Sequence, residues 1–580
     1  MDDFESKKTK SGFSMKLLRG ERMSLIGFDL KTPEPDLVGF SIECKEPKAK
    51  GFVPLRNRIA FDDPAGVANA VDGNRKYLST EAPFQKFRWV HFPFNPQKGI
   101  YTYRATKLHM PKDGTLKKGT AIDLGISLDP VTYDKFLDVG FTRGFASSQA
   151  FLDRVPKGQD KDEFGKSVIP SDGDKGLEFP KLKSDIYSWM GFEAYDLIFG
   201  LLDEALKDKT VTLDVFAYDL NEPSLVGALE KLGKRVRIII DDSTSKNKAG
   251  VITGHGTAES PESQSADRLS VSAGEANVRR THFQGLQHHK VIVFKKDGKA
   301  AKVLTGSTNF SFRGIYIQAN NAMLFHNAEV ADLYARVFQR AFDDPATFSA
   351  DDLASKWHLV QATGKPAVHI CFSPHKSTDL SLNPVRGAID QASSSVFYSV
   401  AFLNQIRSGP TKEAFDRLIA RPIFSYGLSD KAGGLEVKKP DGSTGLVDFK
   451  YLAANAPEPF KSEWSGGSGI NVHHKFVVTD FNLATAKVFT GSSNLSPSGE
   501  KGNGDHLIMI EDRKIATSYA IEALRVFDHL HFRSNMKESA AKNTKISLRK
   551  PTAISGKPAW FEDYYKADTQ RQRDRELFGN

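Results

Sequence analysis

The chain has 580 residues, 39% hydrophobic and 26% charged, a globular composition with room for about three or four domains. No run approaches the roughly 18 apolar residues of a membrane span, the start MDDFESKKTKSGF lacks the apolar core of a signal peptide, and the two distant cysteines, Cys44 and Cys371, exclude a disulfide framework and a thiolate zinc site. A cytoplasmic address is expected, and the net charge of +9 suits an anionic partner, nucleic acid or an acidic membrane surface, although the excess is small for this length.

Residues 1–150 carry strand signals separated by turns, among them LVGFSIEC from Leu37, IYTYRATKLHM from Ile100 and TAIDLGISL from Thr120. They predict an all-β domain, a sandwich of immunoglobulin or fibronectin type. Within it FQKFRWVHFPF interleaves Lys86, Arg88, Trp89 and His91 with phenylalanines. That pattern fits an aromatic and basic surface for bases or headgroups, but better fits one amphipathic strand with Phe87 and Trp89 in the core. GFTRGFASSQ from Gly140 and the charged stretch KGQDKDEFGKSVIPSDGDKG then form an exposed polar connection.

A first α/β unit is expected over residues 151–350. IYSWMGFEAYDLIFGLLDEALKD from Ile186 has helical periodicity, VTLDVFAYDL from Val211 reads as a buried strand, and SLVGALEKLGKRVRIIIDDST supplies a helix and a further strand. After a polar loop from Ser243 to Ala273 comes a hairpin, HHKVIVF from His288 returning to GSTNFS, and then an amphipathic helix from Ala328. Residues 351–540 repeat that order: SSVFYSVAFL from Ser394, a helix and strand in TKEAFDRLIARPIFSYGL, and a hairpin from HHKFVVTD at His473 to GSSNLS. A helix from Ala516 closes this second unit. Ala217 to His288 spans 71 residues and Ala401 to His473 spans 72, the regularity of a duplicated domain whose two histidines meet across a pseudo-twofold axis. The tail, 541–580, is expected to pack back on the body through Trp560, Phe561 and Tyr564.

Side chains alternate along a strand, so His288 and Lys290 share a face, as do His473 and Lys475. The hairpin returns bring Ser307 and Asn309, and Ser492 and Asn494, toward those pairs. Two such copies facing one another would hold a tetrahedral phosphoryl group between two imidazoles, with both ammonium groups offsetting its charge.

These paired stretches resemble the phospholipase D superfamily, whose pattern is H-x-K-x4-D-x6-G-S-x-N twice per active unit. The second stretch matches at His473, Lys475, Asp480, Gly491, Ser492 and Asn494, with 10 residues rather than 6 between Asp480 and Gly491. The first matches at His288 and Lys290, but Lys295 takes the aspartate position and Asp297 lies two further on. In the family that aspartate mainly supports the fold. The resemblance spans roughly residues 185–530 and implies an α/β fold of duplicated α-β-α sandwich lobes behind the β domain.

It also implies a phosphodiesterase. One imidazole forms a phosphohistidine, the other protonates the leaving oxygen and then activates water, Lys290, Lys475, Asn309 and Asn494 bind the non-bridging oxygens, and Ser307 and Ser492 bind phosphate or hold the loops. The family places an acidic or amide residue after each hairpin to orient its histidine, and those places hold Asn320 and Asp505. An anionic Asp505 beside His473 would favour its protonated form, and a neutral Asn320 would leave His288 free as nucleophile. Adjacent His289 and His474 point away from phosphate and are expected to be structural. No metal or cofactor is expected, because no convergent carboxylates accompany the histidines and the lysines would repel a cation.

One chain supplies both motifs, so a monomer suffices for the site. The substrate expectation leans to DNA or RNA. Phospholipase D action on glycerophospholipid, with peripheral membrane contact, is the alternative, and a catalytically silent nucleic-acid or membrane-binding protein is a third reading.

Overall fold

The computed structural model describes residues 4–61, 77–129, 133–144, 184–403, 406–431, 434–438, 444–448, 472–541 and 546–580. Of the exposed polar connection expected from Gly140, residues 140–144 are instead buried, because Gly140 and Phe141 end a strand, and 145–183 lie outside the described residues. Two four-stranded antiparallel sheets form the N-terminal part. One runs in the order Glu5–Lys10, Phe13–Arg19, Ser24–Leu30, Arg88–His91, and the other Lys117–Ser127, Ile100–His109, Leu37–Lys45, Val53–Pro54. Alternation along these strands turns Phe13, Phe28, Phe40 and Tyr103 into one shared core, in which the Phe28 and Phe40 rings stack at 4.5 Å. The C-terminal tail closes this core. Trp560 packs on Phe87 at 5.3 Å, and its indole donates to the Leu37 carbonyl at 3.0 Å.

The first lobe is a seven-stranded sheet in the order Leu137–Phe141, Asn321–Phe325, Lys299–Gly306, Val291–Lys296, Val211–Ala217, Val236–Ile240, Val278–Arg280. The second repeats that order as Ala367–Ser373, Asp505–Glu511, Lys487–Gly491, Lys475–Thr479, Ser395–Val400, Phe424–Lys431, with His358–Val360 added at one edge and Gly434–Lys438 and Thr444–Asp448 at the other. In both, the histidine hairpin pairs antiparallel with the buried strand, which pairs parallel with the next. Parallel pairing requires a crossover, supplied by the helices Pro223–Leu232 and Pro410–Leu418. The lobes are therefore duplicated α/β sandwiches.

Two further expectations change. Leu137–Phe141, placed by its sequence position in a β domain ending at 150, instead bonds along Asn321–Phe325 as the counterpart of Ala367–Ser373. A lobe needs that strand to cover the hairpin's outer neighbour, so the first lobe's sheet begins before residue 140. Arg88, expected on the outer face of an amphipathic strand, is buried, while Phe87 enters the core and Trp89 is half-buried against Phe84. The Arg88 guanidinium bonds Asp528 at 2.6 Å on the long helix Arg513–Ala541 and Asp574 at 2.8 Å on the last helix, Gln570–Gly579. Among the described residues no helix is long and apolar enough to cross a membrane.

Arg88 thus joins the sandwich, the second lobe and the tail. Replacing it with Ala removes the ion pair of the buried Asp574 and leaves the part-buried Asp528 the more distant Lys86, at 3.7 Å, and Arg88→Ala is expected to destabilise the protein by about 3–5 kcal/mol in denaturant unfolding.

Candidate active site

The two hairpins meet at the lobe boundary through a pair of matched backbone bridges. Gln287 pairs parallel with Gly504, and Val472 with Ala319. His288 N–H donates to the Gly504 carbonyl at 2.9 Å, and His473 N–H to the Ala319 carbonyl at 3.1 Å. The next residue on each partner strand then stands beside the histidine of the other lobe. His288 Nδ1 lies 2.7 Å from Asp505 Oδ1, and His473 Nδ1 lies 2.9 Å from Asn320 Oδ1. This corrects the expected pairing within each lobe: the carboxylate serves His288 and the amide serves His473. The reason is the bridge, which joins each motif to the opposite lobe's hairpin exit rather than its own.

Around these rings the remaining motif residues fall into three groups. Lys290 Nζ donates to the His288 carbonyl, and Lys475 Nζ lies 3.0 Å from both the His473 carbonyl and its Nε2. Ser307 donates to Asn320 Oδ1 at 2.8 Å and to Asn321 Oδ1 at 3.0 Å, and Ser492 contacts the His506 backbone N–H at 3.1 Å and its ring at 3.2 Å, so both serines hold the orienting strands. Asn309 Nδ2 donates to Asp219, and the side-chain oxygens of Asn309 and Asn494 are buried without a partner among the described residues.

Asp480 does not face the cleft. Its carboxylate accepts from the backbone N–H groups of Ser393, Ser394 and Ser395, at 3.0, 2.7 and 3.2 Å, where the buried strand begins. In the first lobe Asp297 takes the same turn, with φ 49° against 51° for Asp480, and its N–H bonds Thr210 as that of Asp480 bonds Ser395. Two extra residues of hairpin account for the displaced aspartate. Lys295, at the motif position, pairs with Asp214 instead.

Burial sets the protonation of the cleft. It lowers His288 below the ordinary imidazole value, outweighing Asp505, which raises it. It lowers His473 further, joined by Lys475, Lys290 and His288. Lys290 falls to about 8 through burial, against the pull of Asp505 and Asp219. Burial pushes the Asp505 carboxyl up, but His288 and Lys290 overcome it and hold the group well below the usual range. His289 and His474 are buried behind the cleft, each driven by burial to about 3. His289 stacks on His506 at 5.4 Å, and His474 lies 3.5 Å from Glu522.

A network that the motifs do not announce flanks His288. The Tyr218 ring lies between His255, at 4.5 Å, and His288, at 4.7 Å, with Lys290 Nζ over its face at 4.6 Å. His255 bonds Asp241 at 2.9 Å and Asp219 at 3.2 Å. Asp241 in turn accepts the Gln287 N–H at 2.7 Å, beside His288. Asp219 and Asp241 stand just past the C-terminal ends of parallel strands, a placement legible in VFAYD and IIIDD. His255 lies in a polar loop that carries no such signal. Asp219, His255 and Glu262 bring ligand-type atoms within 4.8 Å of one another, so carboxylates do converge near the motif, contrary to expectation. Both His255 nitrogens are already held by carboxylates. Burial lowers its pKa, but Asp219 and Asp241 raise it to about 10. The cluster acts as an ion-pair brace.

Residues 202–342 match the family model described as cardiolipin synthase, PLD-like domain. This part of the first lobe is thus similar to a phospholipase D-like domain. No curated protein matches the chain. Among solved structures, the phospholipase D family member Nuc from Salmonella typhimurium is 23% identical, over 25% of this chain and 86% of its own, with a TM-score of 0.19. Phosphatidylserine synthase from Haemophilus influenzae is 10% identical over 60% and 91%, TM-score 0.39, and yeast tyrosyl-DNA phosphodiesterase is 10% identical over 53% and 84%, TM-score 0.29.

Asp480→Ala separates support from chemistry. Three N–H groups, that of Ser395 buried, lose their acceptor, so the variant is expected to lose about 1–3 kcal/mol in urea unfolding while turnover per folded molecule stays within about twofold of the parent.

Proposed function

We propose that this chain, built on phospholipase D-like lobes, is a phosphodiesterase that works through a phosphohistidine on His288 and without a metal, and that nucleic acid is its substrate. The observation that supports it most directly is the unequal pair of orienting groups, Asp505 on His288 and Asn320 on His473.

Asp505 accepts the Nδ1 proton of His288, which leaves the Nε2 lone pair for phosphorus. As Nε2 bonds phosphorus, the ring becomes cationic, and the adjacent carboxylate stabilises that charge. This supports the nucleophile role of His288 on different grounds from a neutral neighbour. His473, held by an amide, gains no such stabilisation and suits proton transfer. It gives a proton to the leaving oxygen as the P–O bond breaks, then takes one from water as the water oxygen displaces Nε2 from phosphorus. An anionic phosphodiester beside His473 offsets Lys290 and Lys475 and restores its affinity for that proton. The two lysines, with Asn309 and Asn494, supply the charge and hydrogen bonds that a metal provides elsewhere. Arg407, exposed on the wall of a cavity that Asn494 also lines and without an ion pair among the described residues, supports nucleic acid over lipid.

His288→Ala and His473→Ala are each expected to lose at least about 10³-fold in activity on single-stranded DNA, duplex DNA, RNA or phosphatidylcholine, assayed side by side, and excess EDTA to leave the parent unchanged. Turnover of phosphatidylcholine alone would make the protein a phospholipase. Rapid denaturation during turnover should trap acid-labile phosphate on His288, and label on His473 would reverse the roles.

The pH profile carries a sign. The unprotonated His288 is the active form and burial places its pKa below the ordinary value, so kcat/KM is retained above that pKa and lost as pH falls through it. Removing the charge that raises His288, in Asp505→Asn, should move this acid limb to lower pH and reduce kcat by about 10²-fold.

A further inference from the structure

The lobes differ where the loop after the buried strand meets the motif asparagine. In the first lobe that loop is short, six positions from Ala217 to Pro223, and closes against the hairpin exit. Leu220 bridges to Phe310, the Asn221 side chain accepts the Phe312 N–H at 2.9 Å, and Asp219 takes the Asn309 amide. In the second lobe nine positions separate Ala401 from Pro410, and Phe402 and Leu403 replace Tyr218 and Asp219. A cavity of about 560 Å³ opens there, lined by Phe402, Ile406, Arg407, Ser408, Asn494 and Ser498 among others.

Three features give this cavity a chemistry. Arg407 is exposed on its wall and forms no ion pair or hydrogen bond with any described residue. The side-chain oxygens of Asn494 and of its counterpart Asn309 are both buried and unpartnered among the described residues, but only the Asn309 amide nitrogen is tied to a carboxylate, that of Asp219. Phe402 is held at φ 63°, a conformation that side chains other than glycine adopt only under constraint, with its ring on the cavity wall. Charge also orders the cleft along its length, with the Asp219 carboxylate on the first-lobe side and the Arg407 guanidinium on the second. An anionic chain that crosses the histidines is drawn toward the second-lobe end, where Arg407 has no counter-ion among the described residues, whereas Asp219 is already paired with the His255 imidazolium.

We propose that this cavity binds the nucleotide adjoining the scissile phosphodiester in single-stranded nucleic acid, with Arg407 and Ser408 on its phosphate and the Phe402 ring against its base. The inference rests on the phosphodiesterase reading and deepens it. A guanidinium fork matches two phosphate oxygens, and an aromatic face takes an unpaired base of any identity, so single strands without sequence preference are the substrate class. The volume falls within the range of pockets that enclose one small organic group.

The test compares oligothymidylate with bis(p-nitrophenyl) phosphate, which has one phosphorus and no adjoining nucleotide. Arg407→Ala should raise KM for the oligonucleotide about 5–10-fold with kcat within about twofold, flatten the salt dependence of log KM by about 0.7, and leave bis(p-nitrophenyl) phosphate unchanged. Phe402→Leu should raise the oligonucleotide KM by about fivefold or more. Equal effects on both substrates, or none on either, overturn the subsite. Binding is measured separately, by anisotropy of a labelled oligothymidylate on His288→Asn with and without Arg407→Ala. Weaker binding in the double variant supports the subsite even if no phosphodiester is turned over, an outcome that would sink only the enzymatic reading. Unchanged oligonucleotide binding overturns it, as does weakened binding only to phosphatidylglycerol vesicles.

Discussion

Each motif imidazole is oriented by a side chain from the other lobe, and that exchange depends on two single-residue backbone bridges, Gln287 to Gly504 and Val472 to Ala319. Strands bonded in this way lie about 4.8 Å apart, so the next side chains on each necessarily meet. A slip of one residue at either bridge would turn Asp505 or Asn320 to the opposite face and leave its histidine without an orienting partner. The lobes therefore cannot drift apart without dismantling the site. Both halves come from one chain, which makes the register a property of the fold and independent of protein concentration.

That geometry gathers two lysines and two imidazoles around one carboxylate in a buried space. Burial alone would favour neutral groups, and the depressed proton affinities of His288, His473 and Lys290 express that pressure. Under the proposed function a bound phosphodiester would relieve it, since an anion favours the protonated state of the basic groups it touches. The brace of Asp241, His255 and Asp219 complements this arrangement. It fixes the Gln287 backbone on one side and the Asn309 amide on the other, so the residues flanking His288 are set before any anion arrives.

The paired motifs were legible because their chemistry is local: alternation puts His and Lys on one face, and a hairpin returns Ser and Asn within about 20 residues. The duplicated order of strands was legible for the same reason, as two apolar runs at nearly equal distances from two histidines. What sequence could not give was which orienting residue meets which histidine, because Asn320 and Asp505 each follow their own hairpin and only the docking of lobes crosses them. Arg88 failed similarly. Alternation assigns it to the face opposite Phe87 and Trp89, and that face is covered by helices more than 400 positions later and by Tyr426 of the second lobe. His255 had no signal at all, since a histidine in a polar loop acquires its partners from strand ends brought there by the sheet.

The N-terminal sandwich and the tail bear on the cleft through one helix. Arg513–Ala541 follows the strand that begins with Asp505, and along its length it presents Tyr519 to Asn321 at 2.9 Å, Glu522 to His474, and Asp528 to Arg88. Asn321 is the neighbour of Asn320, so a single rod is fastened to the residue beside one orienting group, to the histidine beside His473, and to the cation that anchors the sandwich. Asp574 holds that cation from the other side. A helix held at Tyr519, Glu522 and Asp528 cannot shift along its axis without breaking these contacts, and the strand leading into it, with Asp505 at its start, is restrained in turn. The sandwich and tail thereby serve as the fixed end of the element that sets Asp505 against His288.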